Sequence, residues 1–108
     1  MKPETFEAGI ADFVQKLQQA IRVEAVISFG THSWGAAYDE SDVDLAVISP
    51  DFESIRLPKR QEMIAALTVH RYPGLLPLGY PSSEYHNPGL DSFLQEIIRT
   101  GKVVYQGR

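Results

Sequence analysis

The sequence has no cysteine, which excludes disulfides, thiolate metal sites and a cysteine nucleophile, and suits a reducing compartment. No stretch approaches the roughly 18 apolar residues of a membrane span, and Met1-Lys2-Pro3-Glu4-Thr5 turns acidic before any apolar run of signal-peptide length. A cytoplasmic location is therefore expected. Basic residues are in the minority, 10 Lys and Arg against 14 Asp and Glu for a formal charge of -4, and no basic run could follow a phosphate backbone. Tight nucleic-acid binding is not expected. What is present is ordinary for a folded protein: 44% hydrophobic and 22% charged residues argue against disorder. The length fits a single domain, 1–108, with a core of its own. A domain this small needs another chain to hold a substrate larger than a nucleotide.

Phe6, Ile10, Phe13, Val14, Leu17 and Ile21 recur at helical spacing and predict an amphipathic first helix. Val23–Phe29 and Val43–Ile48 are β-branched runs with apolar residues at both parities, the pattern of central strands covered on both faces. Leu57-Pro58 opens a helix in which Met63, Ile64 and Leu67 share a face. The proline- and glycine-rich segment 71–83 predicts a short, weak edge strand at Leu75–Leu78. Asn87-Pro88 reads as the cap and first turn of a last helix with Leu90, Phe93, Leu94, Ile97 and Ile98 as its core stripe. Gly101 ends that helix, and Val103-Val104-Tyr105 closes the chain as a strand. The order αβ(α)βαβαβ gives an α/β (α+β) fold, a small mixed sheet flanked by helices.

The chemistry concentrates between the first two strands. Gly30-Thr31 follows the first strand, Gly35 lies five residues beyond Gly30, and Ser41-Asp42-Val43-Asp44 opens the second strand. Residues two apart in a strand share a face, with Cα atoms about 6.5 Å apart, so Asp42 and Asp44 can aim at one point. Crowded carboxylates repel, and a divalent cation relieves them; Mg²⁺ fits because it takes oxygen ligands and leaves positions for phosphate. Gly30 lets the backbone approach a phosphate, and Thr31 adds a hydroxyl at the start of a turn whose free N–H groups favour anions. Alone, Asp-x-Asp at a strand start is often only a turn and cap. The whole combination reads as a triphosphate site.

Gly30-Thr31, the ten intervening residues 32–41 and then Asp42-Val43-Asp44 resemble the signature of the minimal nucleotidyltransferases (MNT) of the DNA polymerase β superfamily, Gly-Ser followed by Asp-x-Asp. The resemblance covers Val23–Ile48 strongly, and the later elements fit the family's size and order. It implies Asp42 and Asp44 as catalytic Mg²⁺ ligands, and Gly30, Thr31, Gly35 and Ser41 around the nucleotide. It implies transfer of a nucleotidyl group, usually AMP from ATP, to a hydroxyl. It also implies a helical HEPN-domain partner in a toxin–antitoxin pair, the antitoxin adenylylating its partner; oligomerisation is left open. Two departures stand out. Thr31 replaces the family's serine, keeping the hydroxyl but stiffening χ1. Catalytic members carry a third acid on a later strand, and aligning Leu75–Leu78 with it puts Gly74 in the acid's place, with no Asp or Glu between Glu62 and Glu84. The alternative is thus a catalytically impaired nucleotide-binding or toxin-masking module.

Other candidates have plainer readings beside functional ones. Glu84 could fold back as the missing acid but suits solvent or a helix start better. His32 follows the phosphate-holding pair as donor, base or bystander, and Trp34 and Tyr38 cover the core or stack on a base. Arg56, Lys59 and Arg60 form a solvated helix face or meet a phosphate from the side. His70 and His86 lack spaced partners and read as structural or exposed.

Overall fold

The computed structural model describes residues 3–29, 43–68 and 74–107. In chain order it has α1 (Pro3–Gln18), β1 (Ala25–Phe29), β2 (Val43–Ser49), a 3-10 turn (Pro50–Phe52) and α2 (Leu57–Thr68). These are followed by β3 (Leu75–Pro81), α3 (Ser82–His86), α4 (Ser92–Thr100) and β4 (Lys102–Gln106). The four strands form one mixed sheet in the order β3-β2-β1-β4. β1 runs antiparallel to β2 and β4, and β2 runs parallel to β3.

The alternation of β2 builds two layers. Val43, Leu45 and Val47 face α1 and α2, where Ile10, Phe13, Val14 and Leu17 repeat at helical spacing and Phe52 and Ile64 complete the cluster. Ala46 and Ile48 face the other way, against Ala25, Ile27, Tyr80, Leu94 and Ile97. Both central strands are buried on both faces, as their apolar runs predict. Each fully buried large side chain, such as Phe13 or Leu17, contributes about 1.5–3 kcal/mol.

The β3 segment departs from expectation. Instead of a short, weak strand it pairs over seven residues, from Val43↔Leu75 to Ser49↔Pro81. The Val43 N–H donates to the Gly74 carbonyl at 2.8 Å, so even-numbered backbone groups point toward β2 and odd-numbered ones point out. Pro77 and Pro81 fall in the outward set, where a missing N–H removes no ladder bond. The outward groups are met by α2: Gln61 Nε2 donates to Pro77 O at 2.8 Å, and Gln61 Oε1 accepts from Gly79 N at 2.9 Å. Arg60 donates to Gly79 O at 2.6 Å and to Ile55 O at 2.9 Å. Gly79 permits this approach, because a Cβ there would lie 2.9 Å from Phe52 Cε2 and 3.3 Å from Arg60 Cβ and Ile64 Cδ1.

The last helix also starts later than its sequence suggests. Asp91, not Asn87, is the N-cap, its Oδ1 accepting from Leu94 N at 3.0 Å. Asn87 instead closes α3, donating its N–H to Ser83 O. Gly89 takes a left-handed conformation (φ 57°) in the connecting turn. Of the expected stripe, only Leu94 and Ile97 are buried; Phe93 and Ile98 are partly exposed, and Leu90 is 100% exposed.

Candidate functional site

Asp44 is the second residue of β2 and is half-buried. By alternation it shares the face of Ala46 and Ile48, toward α3 and α4. The register sets its neighbours: Phe29 pairs with it from β1 and Leu76 from β3. One row across the sheet therefore reads Leu76, Asp44, Phe29, and the next reads Leu78, Ala46, Ile27. Side chains directly opposite across a strand pair have Cβ atoms about 5 Å apart, so Asp44 stands between a leucine and a phenylalanine. Phe29 in turn meets Phe93 of α4 edge to face, with ring centres 5.7 Å apart and planes at 83°. Phe93 remains 54% exposed and Leu76 45%.

The other predicted site residues, Gly30, Thr31, Gly35, Ser41 and Asp42, lie outside the described residues, as do His32, Trp34, Tyr38 and His70. The described residues to which Gly30 and Asp42 are joined, Phe29 and Val43, sit at the same end of the sheet. Asp44 offers a half-buried carboxylate, the hard oxygen donor that a magnesium ion takes. Among the described residues no three of His, Cys, Asp or Glu gather in a group that could hold a metal.

No acid on β3 faces Asp44. Leu76 occupies the register position, and Gly74, one step along the same side of the strand, is a half-exposed glycine with open space where a Cβ would stand. Glu84 cannot fold back to them. It lies in α3, beyond Pro81 at the far end of β3, a strand whose seven residues rise about 20 Å.

Of the remaining charged candidates, Arg60 and His86 serve the scaffold. Arg60 is neither a solvated helix residue nor free for a phosphate, because its guanidinium is committed to the Ile55 and Gly79 carbonyls. His86 Nε2 meets Glu24 Oε2 at 2.5 Å. Asp51, just past β2, accepts Arg22 N at 2.7 Å and Arg22 Nη2 at 3.0 Å. The backbone N–H of Arg22, followed by its side chain, holds the Asp51 carboxyl below the usual range. Tyr80 shares the face of Asp44 two rows away, and burial, then the Asp91 and Glu84 carboxylates, push its phenol up and keep it protonated.

No protein-family model matches the chain, and no curated protein matches it. Among solved structures, it resembles a "putative nucleotidyltransferase" from Sulfolobus solfataricus solved at 1.40 Å resolution, with a TM-score of 0.69. The fold is nucleotidyltransferase-like. The superposition covers 96% of this chain and 83% of the archaeal one at 12% sequence identity, so the likeness is one of shape. Within this nucleotidyltransferase-like fold, the sequence marked Asp44 through the Asp-x-Asp spacing. The exact pairing of Leu76 with Asp44 and the contact of Phe93 with Phe29 depend on strand register and helix placement, which the sequence pattern does not carry. No helix among the described residues is long and apolar enough to cross a membrane.

Proposed function

We propose that this chain binds ATP with Mg²⁺ at the sheet end where Phe29 and Asp44 meet, and transfers AMP to a hydroxyl on a partner protein. The observation that supports this is the position of Asp44, a half-buried carboxylate in the second position of one of the two central strands of a nucleotidyltransferase-like sheet. Asp44 and Asp42 would hold the cation, which when bound neutralises triphosphate charge and assists departure of pyrophosphate. Gly30, Thr31, Gly35 and Ser41 would bind the phosphates through backbone N–H groups and hydroxyls. The acceptor oxygen forms a bond to the α-phosphorus, the bond from that phosphorus to the bridging oxygen breaks, and the acceptor proton passes to solvent. A HEPN-type helical protein of a toxin–antitoxin pair is the acceptor proposed, on the resemblance of Gly30-Thr31 and Asp42-Val43-Asp44 to the minimal nucleotidyltransferase signature. The site belongs to a cytoplasmic protein that acts within such a complex, as a monomer or an oligomer.

The β3 sequence favours a second reading. With Leu76 beside Asp44 and Gly74 next along, no carboxylate is present there to complete a second cation position, so the chain would bind nucleotide and mask its partner without turnover. Transfer of labelled AMP from ATP to a co-expressed partner separates the two. Transfer that disappears in Asp42→Asn and Asp44→Asn supports catalysis. Partner neutralisation that survives both substitutions, with no label transferred, supports masking.

A further inference from the structure

Phe93 stands on the first turn of α4, with Leu94 and Ile97 turned into the core and its own ring left 54% exposed. An exposed phenyl ring is not by itself a site, but this one is held in place. Its ring meets Phe29 at 5.7 Å and 83°, and Phe29 is the register partner of Asp44. The two rings therefore lead from the row of the carboxylate to a half-exposed aromatic surface on the same side of the sheet. The helix cap at Asp91 fixes where that ring stands, since Asp91 Oδ1 binds Leu94 N, one residue beyond Phe93. No polar atom belongs to either ring, so the surface selects for a flat, apolar face and not for a hydrogen-bonding group. On the other flank of Asp44, Leu76 offers a flexible aliphatic chain and no π-surface.

We infer that Phe93 is the stacking platform for the nucleobase of the triphosphate whose phosphates lie toward Asp44. This deepens the nucleotide reading given above and rests on it. The occupant is a heteroaromatic base, because it must be planar, must be covalently tied to a polyphosphate beside the carboxylate, and must cover a ring presented as a hydrophobic face. Base-on-aromatic stacking tolerates every base, so the platform strengthens nucleotide binding over bare polyphosphate without choosing adenine over guanine.

Calorimetry on the full chain with Mg²⁺ tests this using two probes, ATP and inorganic tripolyphosphate. The wild type is expected to prefer ATP, and Phe93→Ala to lower ATP affinity about tenfold while leaving tripolyphosphate affinity unchanged. Phe93→Tyr, which keeps the ring, should retain the ATP preference. A merely structural role for Phe93 would shift both probes together, so the ratio of affinities is the deciding readout. Equal affinity of the wild type for the two probes, or an unchanged ratio in Phe93→Ala, overturns base stacking and leaves phosphate binding standing. Binding of neither probe overturns the nucleotide reading itself, and the stacking inference with it.

Discussion

Replacing Leu76 by aspartate should create a charge conflict with Asp44 that a divalent cation can relieve. The two positions are register partners on adjacent parallel strands, about 4.8 Å apart across the ladder. Carboxylates extending from them to about 6 Å repel by roughly 1 kcal/mol if fully solvated and about 3 kcal/mol at an effective dielectric of 20. Leu76 is 45% exposed, which places the cost between these limits. Losing the buried half of the leucine adds about 1 kcal/mol. Without metal at pH 7 and low salt, Leu76→Asp should therefore be about 2–4 kcal/mol less stable by urea titration. In an Asp44→Asn background the repulsive part vanishes, so a double-mutant cycle should return a coupling of about 1–3 kcal/mol. Millimolar Mg²⁺ should then stabilise Leu76→Asp more than the wild type. A coupling indistinguishable from zero would refute the claim that residue 76 shares a row with Asp44. A normal coupling without any added metal response would show that the row cannot assemble a cation site even with the extra acid.

Gly79→Ala should destabilise the fold by about 1–2 kcal/mol. The new methyl meets the buried Phe52 ring at 2.9 Å, and overpacking of about 1–3 kcal/mol outweighs the 0.4–1 kcal/mol gained by stiffening the unfolded chain; the melting temperature should fall by roughly 5–10 °C. Asp51 contributes acid sensitivity. Its folded carboxyl titrates below its unfolded value because of Arg22, so its stabilisation is full above the unfolded pKa and is lost as pH falls through the folded one. The effect should stay below about 1 kcal/mol because the pair is largely solvated. Asp51→Asn should therefore flatten the stability profile below about pH 4 in urea titrations, and an unchanged acid limb would contradict that assignment.

The parts legible from sequence are those where one period dominates. Phe13, Val14 and Leu17 share one helical face, and β1 and β2 are apolar at both parities except at Ser28, Asp44 and Ser49. Asp44 itself was legible because the Asp-x-Asp spacing after Gly30-Thr31 puts two carboxylates on one face of a strand. Sequence reading failed where tertiary contacts choose between local signals. Asn87-Pro88 and Asp91 are both acceptable helix starts; Asp91 prevails because a helix beginning at Ser92 seats Leu94 and Ile97 on the sheet. Pro77, Gly79 and Pro81 look like breakers until the direction of each outward backbone group is known. The pairing of Leu76 with Asp44 depends on how α2 carries the chain from β2 to β3, which no local pattern encodes.

Gln61 and Arg60 occupy backbone groups on the outer border of β3 that an incoming strand would need. Recognition by strand addition at that border would first have to displace a helix-borne amide and a guanidinium. The border is thus hemmed at Pro77 and Gly79, which guards this edge of the sheet against templating on its neighbours.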